Sequence, residues 1–198
     1  MIHMPLALIP TFVLYCFVSS ITPGPANLCS LAAAMTYGRR QALLQWRGIF
    51  IGFAIVALCA SIVVWFFGTA LNGYISLLTY LGAAYILWLA WNILHSSMGE
   101  TAAKPKCNFF TGLIVQLTNP KIMIYCITAL TTYALPYADS FVDLLKITVL
   151  LPFTGPMCNL VWLLTGASLK KFFQRYQKPL NIAMSTSLAY CAVSILRM

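Results

Sequence analysis

The chain has 198 residues, of which 61% are hydrophobic and only 8% are charged, and its mean hydropathy is +0.87. An average soluble domain carries roughly 25% charged residues and needs a polar surface, so this composition excludes a soluble globular protein. It also excludes intrinsic disorder, because disordered chains are poor in apolar residues and rich in charge. The sequence therefore predicts an all-α integral membrane protein that forms one transmembrane domain over residues 1–198.

The formal net charge of +9 comes from twelve Lys and Arg residues against three acidic residues. In a soluble protein such an excess would suggest nucleic acid as a partner. In a membrane protein it is typical of cytoplasmic loops, which are enriched in Lys and Arg. We therefore expect the lipid bilayer as a partner, and no nucleic acid.

Six apolar segments follow one another along the chain, each of about the length that crosses a bilayer. The first covers residues 6–37 and is broken in its middle. The others are predicted at residues 48–71, 74–94, 109–134, 144–167 and 179–196. A five-span arrangement is the alternative, since the broken first segment could be re-entrant.

The first segment is interrupted by Pro23, Gly24 and Pro25, with Asn27 directly after them. Proline has no backbone N–H, so these prolines leave two carbonyls of the preceding turn without their helical partners. An unpaired carbonyl in lipid costs several kcal/mol, and such a break is tolerated only where it faces protein or a wet cavity. A lone proline would indicate a plain kink. Two prolines around a glycine favour a binding site.

Two further breaks are predicted in the second half of the chain. Asn119 and Pro120 interrupt the fourth segment, and a proline-rich stretch at residues 151–156 interrupts the fifth. Gly155 in that stretch lies one helical turn before Asn159, so the two residues share a face.

The two halves of the chain carry similar breaks. Pro25 and Pro120 lie nearly half the chain apart, each in the first span of a three-span half. Because an odd number of spans reverses the direction of the chain, the halves would be inverted repeats, at about residues 1–95 and 108–198. Inverted repeats with broken helices that meet near the bilayer midplane are typical of secondary transporters.

Lys121 is the one charged residue deep within a predicted span. A lysine at the centre of a spanning helix costs about 2.5–3.5 kcal/mol, which favours a functional role. It could bind an anionic group such as a carboxylate. Alternatively, it could cap the carbonyl of Gln116, which Pro120 leaves free, or extend its ammonium group to the interface. The candidate substrate-binding residues are Pro23, Gly24, Pro25, Asn27, Asn119, Pro120, Lys121, Gly155 and Asn159.

Basic residues accumulate in the odd-numbered loops of the six-span arrangement. Nine of the twelve lie there: Arg39, Arg40, Arg47, Lys104, Lys106, Lys170, Lys171, Arg175 and Lys178. The other side has only Lys146 and Arg197. By the positive-inside rule the odd-numbered loops are cytoplasmic, and both termini are expected in the periplasm.

The motifs of catalysis are missing from the sequence. It contains no phosphate-binding loop, no G-x-S-x-G and no H-E-x-x-H motif. None of its seven cysteines forms a C-x-x-C pair, and its two histidines have no metal-ligand spacing. We therefore expect no catalytic residue, no metal and no cofactor. A divalent-metal exporter, which would want His, Cys or acidic clusters, and a membrane redox or lipid enzyme remain as alternatives.

Gly48 and Gly52 form a G-x-x-x-G pair in the second segment. This spacing predicts a close approach between helices. The same pair would also permit a homodimer.

Several stretches resemble the LysE/RhtB superfamily of bacterial amino-acid exporters over nearly the whole chain. They are residues 22–25 (TPGP), 82–85 (GAAY) and 119–121 (NPK), together with Gly155 and Asn159. In that family the first motif is usually followed by two Asn or by Asn and Thr, whereas here Ala26 precedes Asn27. The resemblance implies a proton-motive-force-driven exporter of small amino acids in the inner membrane. Residues 82–91, 128–136, 180–181 and 190–193 are similar to members that export cysteine and O-acetylserine.

Overall fold

The computed structural model describes residues 5–22, 24–70, 107–166, 171–172 and 175–196, with scattered positions between 80 and 95. Within these ranges the regular structure is helical, with no strand, which confirms the predicted all-α class. The α-helices are α1 (Leu8–Ile21), α2 (Pro25–Ala70), α3 (Phe109–Leu117), α4 (Pro120–Thr128), α5 (Phe141–Leu150), α6 (Gly155–Thr165) and α7 (Gln177–Leu196). A π-helix (Ala129–Ala134) and a 3-10 turn (Leu135–Tyr137) extend α4, and a second 3-10 turn (Leu151–Phe153) leads from α5 towards α6.

The first apolar segment is broken where the prolines predict. Helix α1 ends at Ile21 and α2 begins at Pro25, and we call residues 22–24 the first break. A proline fits the first position of a helix, because the N–H of that residue has no intrahelical partner. Within α2, Gly38 has φ 77° and ψ 165°, a conformation that only glycine adopts readily. This residue separates two helical stretches, residues 25–37 and 39–70.

The connection between the first two predicted spans is shorter than the sequence suggests. Helical structure resumes directly after Gly38, nine residues before the predicted start at Gly48. Arg39, Arg40 and Arg47 therefore lie on a helix and not in a loop. Arg39 extends along α6 and donates a hydrogen bond to the carbonyl of Leu164 at 3.2 Å. A single glycine makes the turn between the two helical stretches, where the sequence predicted a loop of basic residues.

Among the described residues, two stretches are long and apolar enough to cross a bilayer: Phe141–Thr165, and Pro25–Gly68, which includes the turn at Gly38. A third arises if Phe109–Leu117 and Pro120–Tyr137, which meet at a 58° bend, count as one span. The bend confirms the break in the fourth segment, and we call residues 118–119 the second break. The predicted break of the fifth helix is only a 3-10 turn within one span, because Pro152 and Pro156 each lie in the first turn of a helical element. Most of the third predicted span, residues 74–94, lies outside the described residues.

Helices α2 and α3 approach each other closely through their glycines. A Cβ atom added to Gly48 would lie 1.9 Å from the carbonyl oxygen of Phe109, and one added to Gly112 would lie 2.0 Å from that of Gln45. Both distances are far below any real contact, so these backbones touch directly. The predicted close packing is confirmed. Because α3 of the same chain covers the glycine face, that face is not free for a partner chain, and the homodimer stays a prediction.

A buried aromatic cluster holds the broken helices together on one side of the breaks. The ring centroids of Tyr15 in α1 and Tyr125 in α4 lie 5.5 Å apart, and Tyr15 also stacks on Tyr133 at 5.7 Å. Phe53 of α2 meets the Tyr125 ring edge-on. All four side chains are fully buried, so the cluster fixes α1 against α4 and brings the first break next to the second.

Candidate substrate site

Lys121 joins the two breaks. Its Nζ donates a hydrogen bond of 2.9 Å to the carbonyl oxygen of Thr22, the residue that follows α1. A Cβ atom added to Gly24 would lie 3.2 Å from Cδ and 3.3 Å from Nζ of Lys121. Glycine at position 24 therefore leaves the space through which the lysine crosses from one break to the other.

Lys121 does not cap the carbonyl of Gln116, as one alternative predicted. The carbonyl oxygen of Gln116 accepts a hydrogen bond from the backbone N–H of Asn119 at 3.2 Å. The lysine ammonium group instead meets the carbonyl of Thr22, in the first break, which lies in the other half of the chain. Lys121 thus links two distant segments and does not serve its own turn.

The amides of Asn27 and Asn159 form a buried network beneath the first break. Asn27 Nδ2 donates to the carbonyl oxygens of Ser20 and Thr22, at 2.9 and 3.0 Å. Asn27 Oδ1 accepts from Asn159 Nδ2 at 3.0 Å, and Asn159 Oδ1 accepts from the hydroxyl of Ser30 at 2.8 Å. These contacts fix both amides and supply carbonyls at the break with the donors that the helix lacks there.

Trp162 supplies another missing donor, which the sequence alone did not indicate. Pro25 deprives the carbonyl of Ile21 of its helical partner. The indole Nε1 of Trp162, on α6, donates to this oxygen at 3.0 Å. The fully buried tryptophan therefore stabilises the break from within the protein, as a site in lipid requires.

The other predicted residues build the walls of the site. Asn119 is the N-cap of α4, and its Oδ1 accepts from the backbone N–H of Lys121 at 3.1 Å. Gly155 packs against Phe53, whose Cε2 would lie only 2.3 Å from an added Cβ. Pro120 occupies the first position of α4, as Pro25 does in α2. Pro23 lies outside the described residues.

A narrow cavity lies between the two breaks and the start of α6. Its volume is about 20 Å³. Six of the nine predicted residues line it: Gly24, Asn27, Asn119, Lys121, Gly155 and Asn159. The structure thus brings together, from the two breaks and three helices, residues that are widely separated in the sequence.

The cavity has three further polar lining residues that sequence reasoning missed, Ser19, Ser20 and Gln116. Each lies within one helical turn before a break, in an otherwise apolar run. Their position could have identified them as site residues, because the residues before and after a helix break both face the cavity at that break.

Comparison with known proteins identifies the family of this chain. The family model described as "LysE type translocator" matches residues 17–198. The cysteine/O-acetylserine efflux protein of Salmonella typhimurium is 36% identical over 189 residues, covering 95% of this chain and 97% of that protein. The protein of the same name from Escherichia coli K12 is 34% identical with the same coverage. No solved structure matches the chain. The chain belongs to the LysE family, and it is a multi-pass membrane transporter and not an enzyme.

Proposed function

We propose that this transporter exports small amino acids, cysteine and O-acetylserine foremost, across the bacterial inner membrane at the expense of the proton motive force. The substrates named for its relatives support this proposal, because those relatives align over 95% of the chain. The described residues contain no group of three or more His, Cys, Asp or Glu that could hold a metal ion. The divalent-metal alternative therefore gains no support from them.

The observation that carries the proposal is the position of Lys121. An ammonium group has three N–H donors, and the contact with Thr22 uses one of them. The other two can meet a carboxylate once the adjoining cavity, which has a volume of only about 20 Å³ here, widens to admit one. Helices α2 and α4 also begin at the breaks, and the positive ends of their dipoles favour an anionic group there. The carboxylate that all amino acids share is the matching ligand.

We extend the proposal to six spans arranged as inverted halves, about residues 1–95 and 108–198. Two features support it. Each half begins with a pair of helices separated by a short break, α1 with α2 and α3 with α4. In each pair a proline opens the second helix, and the two breaks face each other across the cavity. A rocking of one half against the other would expose the cavity to each side in turn.

The charge asymmetry predicts that the turn at Gly38 faces the cytoplasm and that the α5 start faces the periplasm. Arg40→Cys and Lys146→Cys, each made in a background without the native cysteines, probe these two sides at exposed positions. We expect a membrane-impermeant maleimide added to intact spheroplasts to label the cysteine at position 146 and spare the one at position 40. The opposite pattern would reverse the orientation.

Transport by purified protein in liposomes tests the function. We expect saturable movement of labelled cysteine or O-acetylserine, accelerated by an imposed proton gradient and slowed by an uncoupler. Threonine, homoserine and lysine complete the panel and define the selectivity. If folded protein moves none of these amino acids faster than empty liposomes do, the proposal is wrong. Transport that ignores the gradient would remove only the proposed driving force.

A further inference from the structure

Three buried polar atoms in the cavity have no hydrogen-bond partner among the described residues. They are the hydroxyl oxygens of Ser19 and Ser20 and the side-chain Oε1 of Gln116. These residues are only 2%, 6% and 1% exposed. A buried polar group without a partner costs roughly 1–3 kcal/mol, so three of them on one cavity indicate a site built for a polar ligand.

The two serines differ from most other helical hydroxyls in this protein. Hydroxyls within helices usually bond to a carbonyl three or four residues earlier. Ser61, Thr148 and Ser187 do so here, at 2.8, 2.9 and 2.8 Å. The hydroxyls of Ser19 and Ser20 make no such bond. Their own helix does not satisfy them, and they stay available to the cavity.

The electrostatic setting of these atoms favours a cation. Ser19 and Ser20 lie in the last turn of α1, and Gln116 is the penultimate residue of α3. The carboxyl-terminal end of a helix carries negative partial charge. The unpaired atom of Gln116 is a carbonyl-type oxygen, which can only accept, and a serine hydroxyl oxygen can accept as well. A group with several N–H donors and a positive charge complements this arrangement.

We propose that Gln116, with Ser19 and Ser20, binds the α-ammonium group of the substrate while Lys121 binds its carboxylate. The inference rests on the proposed amino-acid transport and adds the orientation of the substrate. Acceptors at the ends of α1 and α3 meet the cation, and donors at the starts of α2 and α4 meet the anion. The site thereby selects zwitterions and rejects analogues that lack either charge.

Analogues of cysteine that lack one charged group test this orientation. In 3-mercaptopropionate the ammonium group is missing, and in cysteamine the carboxylate is missing. Inhibition of labelled cysteine transport in liposomes gives the apparent affinity of each compound. We expect the wild-type protein to prefer cysteine to either analogue by about tenfold or more, the loss expected for a hydrogen bond to a charged group.

The Gln116→Met variant keeps a side chain of similar length but removes the acceptor. We expect its preference for cysteine over 3-mercaptopropionate to fall towards one, while its preference over cysteamine persists. Lys121→Gln should show the reverse pattern. Gln41→Met is the matched control, because Gln41 bonds to the carbonyl of Cys107 at 2.8 Å and does not line the cavity. It should keep both preferences.

The outcomes separate this inference from the proposed function. If wild-type protein transports cysteine and folded Gln116→Met still rejects 3-mercaptopropionate as strongly, Gln116 does not bind the ammonium group and the inference is wrong. If Gln116→Met does not fold, the Ser19→Ala, Ser20→Ala double variant takes its place in the same comparison. If wild-type protein transports another amino acid instead, its deaminated and decarboxylated analogues replace those of cysteine. A wild-type protein that transports no amino acid contradicts both proposals.

Discussion

Replacing Lys121 with Gln should lower amino-acid export by at least about tenfold without affecting membrane insertion. Glutamine can still donate a hydrogen bond towards the carbonyl of Thr22, but it has no charge to attract a carboxylate. Lys121→Arg should recover little, because a planar guanidinium is larger than an ammonium group. The space beside Gly24 is narrow, since Cδ of Lys121 lies 3.2 Å from the position that a Cβ atom on Gly24 would take. Export of labelled amino acids from cells, at matched membrane abundance, measures both effects.

A second lysine provides the control for this prediction. Lys146 is 58% exposed and pairs with Asp143 at 2.7 Å, one turn before it on α5 and away from the cavity. Glutamine at this position can still donate to the buried carboxylate of Asp143, which also accepts from the Ser140 hydroxyl at 3.0 Å, so Lys146→Gln should export normally. If Lys121→Gln also exports near the wild-type rate, the lysine serves only to cap the carbonyl of Thr22.

The double variant Pro23→Ala with Pro25→Ala should lose at least about nine-tenths of transport and still insert. The two alanines restore backbone N–H groups that can pair with the carbonyls of Ser19 and Ile21. A continuous helix would withdraw the Ile21 carbonyl from Trp162, which now donates to it at 3.0 Å. It would also displace the carbonyl of Thr22, which Lys121 contacts. The residues of the first break would then no longer line the cavity.

The matched control for the proline pair is Pro10→Ala. Pro10 lies in the first turn of α1, where a missing N–H breaks no helical bond. This variant should transport normally. We would measure initial rates in liposomes and the melting temperature of the purified proteins. Full transport by a well-folded double variant would contradict a functional role for the first break.

The breaks could be predicted from the sequence because their cause is local. Proline lacks an N–H wherever it lies, so Pro25 and Pro120 open new helices in the structure as expected. That Gly155 and Asn159 share one face of a helix could be predicted in the same way, from helical periodicity. Local chemistry misled in two places, in the fifth segment, where Pro152 and Pro156 lie in the first turns of helical elements within one span, and at Gly38. Gly38 turns the chain in a single position, and the basic residues after it resembled a loop.

The partners across the breaks could not be predicted from the sequence. The contact of Lys121 with Thr22 and that of Trp162 with Ile21 each join residues about a hundred or more positions apart. Such contacts depend on how helices pack, which the glycines of α2 and α3 decide by letting two backbones touch. The unpaired atoms of Ser19, Ser20 and Gln116 are a property of the assembled cavity. No single segment shows them.

The small volume of the cavity affects how readily protons could leak through the protein. Its volume is about 20 Å³, which is room for roughly one water. Protons cross a bilayer readily along an unbroken file of hydrogen-bonded waters, and a single water cannot form such a file. We therefore expect this conformation to leak few protons through the cavity. A cell could then keep many copies in the membrane without draining the proton gradient that we propose as the driving force of export.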